Sequence, residues 1–152
     1  NASLHWVARR QRCRTYRAAA ASHHLGFAKH MDVLVDTSVW VDHFRHGNAE
    51  LIGLMARDAV LIHPFVLTEL ACGSPPAPRQ RTLADLARLR GALQATRAEV
   101  LAFIEREKLY NLGCGLADIT LLASARVTPG AHLWTLDKTL ASLAARFGIS
   151  WH

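Results

Sequence analysis

Four carboxylates in apolar surroundings are the residues of this 152-residue chain best suited to chemistry. Asp36 ends the run Val33-Leu34-Val35, and Glu69 sits in Phe65-Val66-Leu67-Thr68-Glu69-Leu70. Asp118 opens Ile119-Thr120-Leu121-Leu122-Ala123, and Asp137 follows Leu133-Trp134-Thr135-Leu136. An ionised carboxylate is not buried without a partner. No Lys or Arg lies within three residues of any of the four, apart from Lys138 beside Asp137. Gathered by the fold, they would repel one another and call for a cation. That points to a divalent-metal site and to phosphodiester chemistry.

The separations along the chain are 33, 49 and 19 residues, so only tertiary structure can assemble the set. From Met31 onward, short apolar runs alternate with helical patterns. Strands are expected at 33–35, 60–62, 133–135 and 149–151. Thr37 or Ser38 caps a helix stopped by Gly47, and a second helix covers 49–57. Pro64 opens a helix that Gly73 ends. Leucines at 83, 86, 89 and 93 predict a helix over 79–94. Further helices are expected over 98–107, 116–125 and 138–147. Short apolar strands between helices imply a parallel sheet covered on both faces. Ligands of such sheets bind outside the carboxyl ends of strands, where Asp36 and Asp137 fall. Glu69 and Asp118 lie on helices that can flank the same edge.

A chain of this length suits one domain with a single core. The net charge of +6 resembles a nucleic-acid signature, but its distribution argues otherwise. Residues 1–30 hold six basic residues and no acid, which leaves 18 − 6 = 12 basic against 12 acidic residues in the remainder. The positive excess therefore lies outside the domain and is no basis for RNA binding. Residues 1–30 read as a basic extension outside the native domain, with Met31 as its natural start and helix allowed over 4–21 on propensity. No apolar run is long enough to span a bilayer. Three dispersed cysteines, Cys13, Cys72 and Cys114, fit a reducing compartment, hence the cytoplasm, and no disulfide framework.

Four ordered segments carry a resemblance to the PIN-domain family and, within it, to the VapC-type ribonuclease toxins of type II toxin–antitoxin pairs. They are Val35-Asp36-Thr37-Ser38-Val39-Trp40-Val41-Asp42, Thr68-Glu69-Leu70-Ala71-Cys72-Gly73, the stretch 115–125 around Asp118, and Leu133-Trp134-Thr135-Leu136-Asp137-Lys138. The resemblance covers residues 31–152. Leu116 stands where many relatives carry an aromatic, and Thr120 where close relatives often carry His.

The resemblance implies a three-layer α/β/α sandwich with a short, mainly parallel sheet. It also implies a metal-dependent endoribonuclease neutralised by a cognate antitoxin and acting as a homodimer. Asp36, Glu69, Asp118 and Asp137 match its catalytic set, with Mg²⁺ or Mn²⁺ as cofactor. Hard cations prefer carboxylate oxygens, which agrees. Asp36 and Asp118 are assigned as principal ligands, Asp137 as ligand to a second metal or holder of a water, and Glu69 as general base or water-orienting group. Thr37, Ser38 and Thr135 are near enough in sequence to bond carboxylates or phosphate. An antitoxin tail rich in Arg would suit the acidic groove.

Plainer readings accompany each residue. Asp36 and Asp118 can be helix caps, Asp137 a turn residue, and Glu69 part of an exposed helix face. Asp42 suits a solvated face. His43 and His46 have a spacing that can bind metal but suit a surface. Cys72 and Cys114 read as core thiols, and Trp40, Trp134 and Trp151 as core or partner contacts. Arg79, Arg81, Arg88 and Arg90 suit a solvated face or phosphate contact. Two other functions compete. A magnesium-dependent phosphatase of haloacid-dehalogenase type needs a second Asp where Ser38 stands. An inactive PIN-like binding module would not need all four acids. A dinucleotide fold fails for want of a glycine-rich loop after Val35.

Overall fold

A computed structural model describes residues 31–152. The basic segment 1–30, the helix allowed within it and Cys13 lie outside the described residues. The elements are β1 (Asp32–Val35), α1 (Thr37–His46), α2 (Ala49–Ala56), β2 (Val60–Ile62), α3 (Pro64–Cys72), α4 (Arg79–Leu86), β3 (Arg90–Gly91), α5 (Arg97–Glu107), α6 (Leu116–Val127), β4 (Ala131–Trp134) and α7 (Lys138–Arg146).

The strands form one parallel sheet in the order β3-β2-β1-β4, as the alternation of strand and helix predicts. β1 is central because Val33, Leu34 and Val35 are fully buried and accept neighbours on both sides. The chain moves outward from β1 to β2 and β3, then returns to β4 on the other flank. Adjacent strands β1 and β4 therefore send their following segments apart, which makes a crevice at their carboxyl ends. Val35 pairs with Trp134 at that end, and the Asp36 amide donates to the Trp134 carbonyl at 2.9 Å. α6 contributes an unbroken buried stretch from Ile119 to Ala125. Trp40, Leu54, Leu122, Leu133 and Leu140 complete the core.

Three expectations change. The leucine-spaced helix ends at Leu86 rather than continuing to Gln94. Leu89 turns into the core, and Arg90 enters the sheet beside Leu61 with its guanidinium on the Asp32 carboxylate. Strand pairing and this ion pair override helical spacing, and Leu93 is left 55% exposed. The strand expected over 149–151 is a single parallel bridge, Leu133 to Ser150. Cys72 is exposed and Cys114 half-buried, so neither is a core thiol.

Candidate active site

Asp36 leaves β1 and caps α1. Its side chain, not that of Thr37 or Ser38, accepts the first free amide, Ser38 N, at 3.3 Å. The same Oδ2 accepts the hydroxyls of Ser38 at 2.5 Å and Thr135 at 2.8 Å. Three donors on one oxygen hold a carboxylate that is only 7% exposed, and they answer its desolvation.

Those two hydroxyls also bind the segment after β4. Thr135 Oγ1 accepts the Asp137 amide at 3.0 Å, and Ser38 Oγ accepts the Leu136 amide at 3.0 Å. Asp137 then caps α7, its Oδ1 accepting Leu140 N at 2.7 Å. On the other side, the hydroxyl of Thr37 donates to Glu69 Oε2 at 2.5 Å. α3 presents Glu69 from its exposed face, positioned by Pro64 in the first turn and by the buried His63 cap. Asp118 lies in the first turn of α6 and reaches back to the Gly115 amide at 2.9 Å.

Cys114 reports on the last two acids together. Burial pushes its thiol pKa up, and the charges of Asp118 and Asp137 push it further. Hydrogen bonds thus tie Asp36 to Asp137 through Thr135 and hold Glu69 on Thr37, the residue after Asp36, whereas Asp118 is related to Asp137 only through the charge both exert on Cys114. Asp36 is the cap of α1 as read and Asp137, expected as a turn residue, is the cap of α7, while Asp118 is not a cap but the third residue of α6, bonding back to the Gly115 amide. The positive ends of α1, α6 and α7 offset part of the repulsion among them.

Each of the four carboxylates uses one oxygen for these bonds. The other, Asp36 Oδ1, Glu69 Oε1, Asp118 Oδ1 or Asp137 Oδ2, has no protein donor among the described residues. None of the four forms an ion pair there either. The donor set, hard oxygens without a cationic partner, fits Mg²⁺ or Mn²⁺. No three His, Cys, Asp or Glu side chains among the described residues close into a group that could hold a metal ion. The four carboxylates thus supply oxygens of the kind such a cation takes without closing into a ready-made cage among the described residues.

The remaining candidates are occupied elsewhere. His43 is buried and accepts the Asn48 amide at 3.0 Å, while His46 pairs with Asp42 at 2.9 Å. Arg79 caps α3 through the Ala71 and Gly73 carbonyls. Arg81 and Arg88 flank Asp85 at 4.0 and 3.3 Å. Trp40 and Trp134 are core, and Trp151 donates to Glu50 at 2.8 Å. Cys114, expected as a core thiol, and Phe65, not singled out by its type, stand near these acids instead. Cys114 carries the signal of lying one residue before the Gly115 that Asp118 holds. Phe65 is a 39% exposed ring one helical turn before Glu69, and its i, i+4 spacing was legible.

The PIN domain family model matches residues 33–146. Ribonuclease VapC32 of Mycobacterium tuberculosis, from strain CDC 1551 / Oshkosh and from strain ATCC 25618 / H37Rv, is 41% identical over 118 residues in each case. That alignment covers 78% of this chain and 94% of the relative. No solved structure matches significantly. With its parallel α/β sheet, its ordered acidic motifs and these matches, the chain belongs to the PIN-domain family, in its VapC-type branch.

Proposed function

We propose that this protein is a metal-dependent endoribonuclease toxin that cleaves RNA phosphodiesters and is neutralised by a cognate antitoxin. The observation that carries the reading is the set of four carboxylates, three of them held by the hydroxyls of Thr37, Ser38 and Thr135 or by the segment they bind, each with one oxygen free of protein donors and none paired with a cation among the described residues. The relatives' name, ribonuclease, supports the reaction class. The nuclease domain spans residues 31–152, and residues 1–30 are an extension outside it.

Asp36 and Asp118 would hold Mg²⁺ or Mn²⁺, and Asp137 would serve a second ion or orient a water. When bound, the cation activates water near neutral pH and offsets charge developing on the phosphate. Ser38 and Thr135 keep the Asp36 carboxylate fixed by donating to one of its oxygens. Glu69, exposed and steadied by Thr37, takes the proton of the attacking water as general base. The acidic cluster suits an Arg-bearing antitoxin segment. A homodimer in the cytoplasm completes the proposal. No helix among the described residues is long and apolar enough to cross a membrane.

Cleavage of total RNA with Mg²⁺ or Mn²⁺ tests the reading. Wild type is expected to cleave, and Asp36→Asn and Asp118→Asn to lose at least about a hundredfold. Undiminished cleavage by either variant would refute the site. Absence of growth arrest on induced wild-type expression would refute the toxin role.

A further inference from the structure

Phe65 is the second residue of α3 and is 39% exposed, whereas Val66 beside it is fully buried. Its ring meets the His63 imidazole edge-on, with centroids 5.3 Å apart and planes at 72°. His63 is itself 2% exposed, accepts the Phe65 amide at 3.1 Å and lies 3.3 Å from Ser124 Oγ. A buried imidazole thus holds the backbone of Phe65 and meets its ring, part of which faces solvent. Glu69 follows four residues later on the same face of α3, about one turn away. Its carboxylate carries the Thr37 hydroxyl that adjoins Asp36.

We infer that Phe65 is a stacking platform for an unpaired nucleobase next to the scissile phosphate, and so a residue that positions the single strand. The inference rests on the ribonuclease reading. An acidic, metal-assisted centre grips phosphate and carries no information about bases. Single-stranded RNA is held by stacking its splayed bases on exposed aromatic faces. Leu116 and Leu136, 66% and 53% exposed, adjoin Asp118 and Asp137 but offer no π-face. Phe65 does, and its preset orientation spares the entropy of ordering a mobile ring.

The test is steady-state cleavage of a short single-stranded RNA by the full chain. Phe65→Leu keeps apolar bulk and loses the aromatic face; it is expected to raise KM at least about tenfold with kcat within about twofold. Phe65→Trp is expected to retain wild-type KM or lower it. The same RNA is then made abasic at each position flanking the cut in turn. At the stacked position, wild type and Phe65→Leu should become equal. KM does not depend on the folded fraction, so partial misfolding of a variant leaves the comparison intact. Wild-type KM in Phe65→Leu, or an equal rise on intact and abasic RNA, overturns the inference and makes the ring a structural support or a protein contact. Failure of wild type to cleave any RNA refutes the ribonuclease reading, and this inference with it. Intact wild-type cleavage with an indifferent Phe65 refutes this inference alone.

Discussion

Thr135 donates its hydroxyl to Asp36 Oδ2 at 2.8 Å across a separation of 99 residues. It also accepts the Asp137 amide at 3.0 Å. One side chain therefore sets both the orientation of the most buried of the four acids and the start of α7. Thr135→Val keeps shape and removes both bonds. The loss of unfolding free energy is expected to be about 1–3 kcal/mol, because Asp137 N loses its acceptor and a buried carboxylate loses a donor. RNA cleavage should fall along with it. Urea denaturation with parallel cleavage assays would show this, and a variant as stable and active as wild type would refute the role.

The four carboxylates lack cationic partners among the described residues, so function and stability should diverge at this site. Asp118→Asn and Asp137→Asn relieve repulsion while leaving an oxygen to cap α6 and α7. Without divalent metal at low salt, both variants should melt at or above the wild-type temperature even as cleavage collapses. Melting scans decide it; a clear loss of stability would mean the acids are primarily structural.

Removal of metal provides a reciprocal measurement. An ion that binds only the folded state raises the melting temperature by linkage, by an amount that grows with its concentration over Kd. Mg²⁺ or Mn²⁺ is expected to stabilise wild type, EDTA to reverse this, and Asp36→Asn to abolish the response. A wild-type melting temperature indifferent to millimolar metal would count against the assigned ligands.

Two histidines should make the fold sensitive to acid. Burial holds the pKa of His63 below 6.5. Burial does the same for His43, against an opposing pull from Asp42. Both are neutral in the folded state, and His63 Nδ1 and His43 Nδ1 accept the amides of Phe65 and Asn48. With folded pKa values below the unfolded one, their contribution is fully present above about pH 6.5 and is lost as pH falls from there through the folded values. Stability by urea denaturation should be level from neutral pH upward and decline below about 6.5. His63→Asn still caps α3 and does not titrate, so its acid slope should be shallower. An unchanged slope would place the titration elsewhere.

Cys114 reports on the acidic cluster without any activity measurement. Burial and the charges of Asp118 and Asp137 raise its thiol pKa, so its alkylation by iodoacetamide near pH 8 should lag behind that of the exposed Cys72. Asp137→Asn should speed it. Mass spectrometry of the alkylated peptides gives both rates, and equal rates in wild type and variant would contradict the proximity.

Much of this architecture was legible in local pattern. The strand at Val60–Ile62 and the helix from Pro64 to Gly73 follow from an apolar run and from Pro–Gly punctuation, which act within a few residues. The fold class follows from strands too apolar for any site but the inside of a covered sheet. The helix expected through Gln94 failed because Arg90 answers to Asp32, 58 positions away, and spacing does not encode that bond. Cys72 was read as core from composition, whereas its place at the end of α3 exposes it.

The sequence alone determined that four acids lie beside apolar strands and helices, with Lys138 the one cation near any of them in sequence, because charge and hydropathy are properties of residue type. Their ordered motifs determined the family. The tertiary structure decided that β1 and β4 are neighbours, that Thr135 and Ser38 converge on one oxygen of Asp36, and that Phe65 rests against His63 with part of its ring exposed. Those are relations between segments brought together by packing and strand register. No local preference specifies them, since each depends on where the rest of the chain has gone.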